Sequence, residues 1–318
     1  MTPSAENTKK RSKALTLEKM KRNKILKRWQ LYLMFLPTLI YVILFCYKPM
    51  YGVIIAFKYF QVRDGYWHSQ WAGFTHFYRL FKSYWFPIIL KNTLITSVLT
   101  TFITFPLPII IALMANEIRN QKLKKGFQIV SYAPHFVTTV VVCSMISLFL
   151  DPTNGIITAA VKSITGEAPR WLTDPDAFKW IYIVSQAWQG SGWGAMLYYS
   201  ILSTVDPNLH EAAEIDGANR FQRVIHINLP RVTSMIVIML IMRIGNIMSM
   251  GFEKVYLMQN DLNILGSEII ATYVYKMGLQ GGGYSFGTAV GLFNSVINCI
   301  LLVSANTVSK KMGSQGLW

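Results

Sequence analysis

Six apolar runs of about 20 residues or more, at roughly 30–50, 88–115, 127–150, 178–202, 232–250 and 285–308, limit what this chain can fold into. Each is long enough to cross the hydrocarbon core of a bilayer as a helix. The expected fold is therefore an all-α integral membrane protein with six transmembrane helices. Composition agrees: 52% of the residues are hydrophobic and 14% charged, against about 25% charged in an average soluble domain. The formal net charge of +16 raises the question of nucleic acid, but ten of the 31 Lys and Arg residues fall within residues 1–29. That is a local basic tail, suited to a topological signal and to anionic lipid headgroups, and no nucleic-acid partner is expected. Cys46, Cys143 and Cys299 lie inside apolar runs without CxxC or Cys/His spacing, which indicates neither a disulfide framework nor a zinc site.

Six crossings put both termini on one side, and the positive-inside rule says which. The tail, Arg119, Lys122, Lys124 and Lys125 in the 116–126 connection, Arg220, Arg223 and Arg231, and Lys310 and Lys311 all fall on the same side. The opposite connections hold Asp64, Asp151, Glu167, Asp174, Asp176, Glu253, Asp261 and Glu268. Both termini and the 206–230 loop are thus expected in the cytoplasm. The chain divides into a basic tail, 1–29, and a membrane domain, 30–318, with the loop inserted in it. The first run is too long for a signal-peptide core and lacks a small-residue cleavage site, so it reads as a retained anchor.

The loop itself, DPNLHEAAEIDGANRFQRVIHINLP, is a polar island between two apolar runs. Asp206 is a good N-cap, and Pro207 suits the first helical position, where its missing N–H has no partner to lose. Leu209, Ala212 and Ala213 recur at helical spacing to give a narrow apolar face. Gly217 supplies the left-handed residue that ends the helix. A second amphipathic helix follows, with Phe221, Val224 and Ile225 on one face, and Pro230 is expected to stop it before the fifth span. An interfacial helix pair lying on the bilayer is the plain alternative, but such helices present cations and large apolar residues, whereas 206–217 is acidic with small alanines.

Glu211-Ala212-Ala213, three residues, Gly217, nine residues, then Ile227-Asn228-Leu229-Pro230 resembles the complete EAA loop of bacterial ABC-importer permeases, the membrane subunits of binding-protein-dependent transport systems. The resemblance runs from about Asn92 to Asn306, and GFEKVYLM and AVGLFNSVIN are similar to the branch that imports oligosaccharides and polysaccharide fragments. It implies the type I importer permease fold in a bacterial cytoplasmic membrane. It further implies a coupling helix seated on a cytoplasmic ATPase through Glu211, Ala212, Ala213, Asp216, Gly217, Ile227, Leu229 and Pro230. The partners implied are a second permease, homologous rather than identical, two ATPases that bind ATP and Mg, a solute-binding protein received by the external loops, and a saccharide. The chain has no G-x-x-x-x-G-K-[ST] phosphate loop, so it is expected to bind no cofactor and to be no enzyme, hydrolysis falling to the partner.

Weaker features bear on the pathway. WQGSGWG puts Gly190, Gly192 and Gly194 in the middle of the fourth run, with Trp188, Trp193, Tyr198 and Tyr199 available to stack on sugar rings or simply to pack. Loosened backbone in a membrane is tolerated where it faces protein or a water-filled cavity. Arg243, Asn246, Met250 and Glu253 fall at i, i+3, i+7 and i+10, one face of a continuous helix, and Arg243 is either a pathway residue or a bond to a neighbouring helix. Gly287 and Gly291 form a GxxxG pair with Asn294 and Asn298 along the same stripe, which suits close helix contact first and pathway lining second. The aromatic stretch 51–86, with Trp67, Trp71, Phe77 and Trp85, is expected along the outer interface. A secondary, ion-coupled transporter is the alternative, but no internal repeat is visible and the run centres hold no carboxylate. A membrane enzyme would need convergent nucleophile, base or metal ligands. The five histidines, His68, His76, His135, His210 and His226, form no cluster.

Overall fold

The structure, a computed structural model, describes residues 29–249, 251–313 and 316–318. The basic tail apart from Trp29, and Met250, lie outside them. Helices account for nearly all of the ordered backbone. In chain order the main elements are α1 (Trp29–Phe57), α2 (Thr75–Lys82), α3 (Trp85–Glu117), α4 (Gln121–Phe136), α5 (Thr139–Phe149) and α6 (Ile156–Thr165). There follow α7 (Pro175–Leu202), α8 (Pro207–Ile215), α9 (Arg220–Gly245), α10 (Phe252–Met258), α11 (Ile270–Val274) and α12 (Tyr284–Lys311). Two short antiparallel strands, β1 (Lys58–Tyr59) and β2 (Gln70–Trp71), pair between α1 and α2.

Among the described residues four helices, α1, α3, α9 and α12, are long and apolar enough to cross a membrane, or five if α4 and α5 make one span. Two runs depart from the six straight crossings expected. The third is broken: α4 and α5 meet at 93°, because Pro134 ends the first in a 3-10 turn and Thr138 caps the second by accepting from the Val141 N–H. The fourth, α7, has 28 residues, about 42 Å at 1.5 Å per residue. Ser185, Gln186, Gln189, Ser191 and its glycines dilute its apolar character.

Elsewhere prolines lie inside helices without ending them. The fifth run begins earlier than expected, since Arg220–Gly245 is one helix and Pro230 lies inside it. A π turn over Val224–Asn228 precedes the proline, with the Leu229 N–H donating to the Val224 carbonyl. The same device precedes Pro49, where the Lys48 N–H donates to the Ile43 carbonyl. Widening the helix by one residue gives the ring room beside a carbonyl it would otherwise strike.

Three apolar clusters hold the bundle together. One joins Cys143 of α5, Phe178, Tyr182 and Ile183 of α7, and Val255 and Met258 of α10. A second joins Leu80, Ile89, Tyr273, Phe286 and Val290 from α2, α3, α11 and α12. The third seats Ala112 of α3 against Ala195, Tyr198 and Leu202 of α7 and Val232 of α9. The glycines of α7 do not loosen it. A Cβ on Gly192 would sit 1.8 Å from the Ser131 carbonyl oxygen, and one on Gly194 would meet the Pro108 ring at 3.0 Å. They let α4 and α3 approach the α7 backbone. In α12 the close contact falls on Gly287, whose Cα faces Gly278, whereas nothing lies within 4 Å of a Cβ built on Gly291.

Candidate functional site: an exposed loop and a polar cavity

The loop forms as its residues dictate. The Asp206 carboxylate accepts from the Asn208 N–H at 3.0 Å and starts α8. Gly217 ends it with φ +82°. The Ala218 N–H reaches back to the Ala213 carbonyl (2.8 Å) and the Gly217 N–H to that of Glu214 (3.1 Å). This pair of bonds is the Schellman closure of a helix C-terminus. Asn219 and Gln222 then exchange bonds of 2.8 and 2.9 Å in a capping box that opens α9.

No residue of α8 is buried. Leu209 is 55% exposed, Ile215 87% and Phe221 72%, so among the described residues the loop carries apolar side chains left largely uncovered. Glu211, Ala212 and Asp216 are exposed and Ala213 half-buried, while Ile227 and Leu229 turn partly inward and Pro230 is exposed. Glu214 locks the corner: it accepts from Arg223 at 2.7 Å and lies 3.6 Å from Arg119 in the α3–α4 connection. The Arg223 bond holds the Glu214 carboxyl below the usual carboxylate range. Asn228, fully buried, donates to Glu117 at the end of α3 at 3.2 Å. The loop is thus tied by polar bonds to the end of α3 and to the α3–α4 connection, while α8 keeps its side chains exposed.

The second feature is a cavity of about 190 Å³ between α3, α7 and the end of α9. Ser97, Thr100, Thr101, Tyr182, Gln186, Arg243 and Asn246 line it with Ser249 and Gly251. Arg243 donates to the Thr104 hydroxyl at 2.8 Å and to that of Thr101 at 3.5 Å, so it bonds a neighbouring helix while it also borders the cavity. Asn246 joins it, as the residue that ends α9, and donates to the Met242 carbonyl. Glu253 does not. The helix stops at Gly245, the backbone then turns, and Glu253 is exposed in the first turn of α10. The four-residue helical face expected from Arg243 to Glu253 is therefore not formed.

Trp188 and Trp193 lie elsewhere. Trp188 borders an apolar groove of about 530 Å³ with Val142, Ile146, Trp180 and Val184, and Trp193 stacks on His135 with ring centroids 4.6 Å apart. Asn294 of α12 keeps a buried carbonyl oxygen without a partner. Asn298 does what was expected of the stripe, accepting from the Met248 N–H (3.1 Å) and donating to Ser249 (2.7 Å) to fix the end of α9. The aromatic stretch 51–86 is partly folded back: Trp67 is 79% and Trp71 64% exposed, while Trp85 packs on the second cluster and Phe77 against Phe57. Glu268, expected in an external loop, is buried and paired with Lys276 at 2.6 Å.

Sequence reasoning missed Tyr182, Gln186, Gln189 and Lys254. A signal for the cavity was present in α3, where Thr93, Ser97, Thr100 and Thr104 recur at helical spacing inside an apolar run and are all buried.

Fold and loop together define a helical protein with several candidate membrane spans and an exposed, capped helix between two of its long helices. Residues 104–313 match the family described as "Binding-protein-dependent transport system inner membrane component", and the chain belongs to that family. It is 43% identical over 291 residues to Protein LplB of Bacillus subtilis (strain 168), covering 92% of this chain and 91% of that one. It is 41% identical to the polygalacturonan/rhamnogalacturonan transport system permease protein YteP of the same organism, covering 93% and 92%. A chain of a bacterial alginate ABC transporter, solved in complex with alginate pentasaccharide-bound periplasmic protein, superposes with a TM-score of 0.85 at 36% identity, covering 93% of this chain and 99% of that one. The chain is thus a permease subunit of a binding-protein-dependent importer, and these relatives give the ion-coupled alternative no support.

Proposed function

We propose that the chain is one half of a permease pair in a bacterial cytoplasmic membrane, crossing it six times with both termini inside. On this reading the bent α4–α5 pair and α7 complete the six crossings. The 1–29 tail stays on the cytoplasmic face and 30–318 forms the membrane domain. A homologous second permease completes the pathway, and two cytoplasmic ABC ATPases, which hold ATP and Mg, dock on the coupling loops. An extracytoplasmic binding protein delivers the cargo, an oligosaccharide or polysaccharide fragment. The single observation carrying this reading is α8, a capped helix with no buried residue, closed by Gly217 at φ +82° and set across exposed Leu209, Ile215 and Phe221.

The mechanism follows from how the loop is held. Closure of the ATPases on ATP draws the two loops together. The bonds from Glu214 to Arg223 and Arg119, and from Asn228 to Glu117, pass that displacement to α9 and α3, the walls of the polar cavity. The bundles rock as near-rigid bodies and open outward, the binding protein releases its sugar, and hydrolysis resets the state. Arg243, Asn246 and, from α12, Asn294 present polar groups toward the pathway, and Trp188 and Trp193 serve packing.

Reconstitution of the chain with its second permease, ATPases and binding protein, assayed with a panel of oligosaccharides, tests this. Saccharide-loaded binding protein should stimulate ATP hydrolysis and uptake. Uptake driven by an ion gradient without ATP would overturn the reading.

A further inference from the structure

Behind the wall of the polar cavity sits a cation that the coupling account does not use. Lys254, in the first turn of α10, is 4% exposed, and its Nζ donates to the Oε1 atoms of Gln186 (2.6 Å) and Gln189 (2.7 Å) of α7. Among the described residues Lys254 has no ion-pair partner; Glu253 beside it is exposed. A buried charge inside a membrane domain is costly and marks function or a partner by default. Here two amide oxygens solvate the ammonium and no carboxylate neutralises it.

The bond also decides what the cavity displays. An ammonium only donates, so it holds the Gln186 carbonyl oxygen toward itself. The Gln186 side chain lines the cavity, and its NH₂ has no protein acceptor among the described residues. Arg243 spends donors on Thr101 and Thr104 and, with five N–H groups, has others left. Ser97 and Thr100, 4% and 5% exposed, line the same cavity with hydroxyls that have no partner among the described residues. Among the described residues no carboxylate lines it. The wall therefore offers one cation, an amide donor backed by a second cation, and two idle hydroxyls.

We propose that this cavity is a carboxylate-reading subsite, in which Lys254 is a positioning residue that acts through Gln186, so that the permease favours saccharides bearing uronate groups. The proposal rests on the saccharide-importer reading. Arg243 is the group that meets the carboxylate; Lys254 fixes the amide and supplies positive potential from behind.

The test uses the complete reconstituted complex with galacturonate and mannuronate trisaccharides and their methyl esters, which keep the rings and remove the charge. The quantity read is the ratio of kcat/KM for acid over ester. The binding protein is the same in every arm, so its own preference cancels between variant and wild type. Lys254→Met should lower the ratio at least tenfold, with ester uptake within about twofold of wild type. Gln186→Leu, which leaves the Lys254 bond to Gln189, should lower it in the same direction and serves if Lys254→Met does not assemble. A wild-type ratio in an assembled variant would overturn the proposal, as would equal loss of acid and ester, which marks a structural role. Uptake of neither class by a wild-type complex that takes up a neutral oligosaccharide would also overturn the proposal, whereas uptake of no saccharide of the wider panel would defeat the saccharide reading itself.

Discussion

Every residue that caps and turns the 206–230 loop lies within it, whereas the cavity beside Arg243 gathers Ser97 from α3, Gln186 from α7, Arg243 from α9 and Gly251 from the turn that follows it. The loop is closed by short-range backbone bonds and leaves its apolar side chains exposed. The cavity is closed by side chains that meet only after four segments have packed, and it hides its charge. A surface meant for another protein can be written as a contiguous motif, because each cap and turn is settled locally. A surface meant for a small cargo has to be assembled in three dimensions.

Breaking the loop should give the largest effect. Nothing lies within 4 Å of a Cβ on Gly217, so Gly217→Val costs backbone conformation alone, about 1–2 kcal/mol for a left-handed residue. In a loop with little packing this is enough to undo the turn. Binding-protein-stimulated ATP hydrolysis and uptake should fall at least tenfold while membrane insertion persists. Gly217→Asn, which tolerates the left-handed region, should retain most of both. Wild-type coupling in the valine variant would show that the turn is not what positions α8.

Within the membrane the effects should appear in stability. Gly192→Ala drives a Cβ to within 1.8 Å of the Ser131 carbonyl, and forcing α7 and α4 apart should cost about 1–3 kcal/mol. Two residues earlier Gly190 faces open space, so Gly190→Ala should be neutral or stabilise by up to about 1 kcal/mol. Thermal unfolding of the detergent-solubilised complex reads both, and equal shifts would remove the close-approach account of α7.

The smallest effect concerns Glu214. Arg223 depresses its carboxyl below the ordinary value of 4.5. A depressed carboxylate contributes stability that is complete above the unfolded value and is lost as pH falls through the lower folded one. Coupled ATP hydrolysis should therefore show no step attributable to Glu214 between pH 6 and 8. Glu214→Gln should give a modest, pH-independent loss across that range, and a new pH dependence in that variant would contradict the pairing.

Much of this architecture was legible before folding. Asp206-Pro207 starts a helix where a cap followed by proline should, and Gly217 ends one where only a left-handed residue could. What failed was the assumption of unbroken period. Pro230 has the look of a stop in the sequence, but the π turn before it absorbs the ring and the helix continues. Arg243 to Glu253 was read as one face, but periodicity carries no information past Gly245, where α9 ends. Lys254 was passed over because a lysine near a span end looks like a solvated charge. Its burial depends on Gln186 and Gln189, which a one-dimensional reading places far away.

The central claim, that 206–230 is the surface on which an ATPase docks, is tested most directly by a photo-crosslinking residue placed at Leu209 in the assembled complex. Mass spectrometry of the product should identify the cytoplasmic ATPase subunit, and the same probe at Trp188, in the apolar groove, should capture no ATPase. Capture of the ATPase from Trp188 and not from Leu209, or of lipid alone from Leu209, would contradict the account.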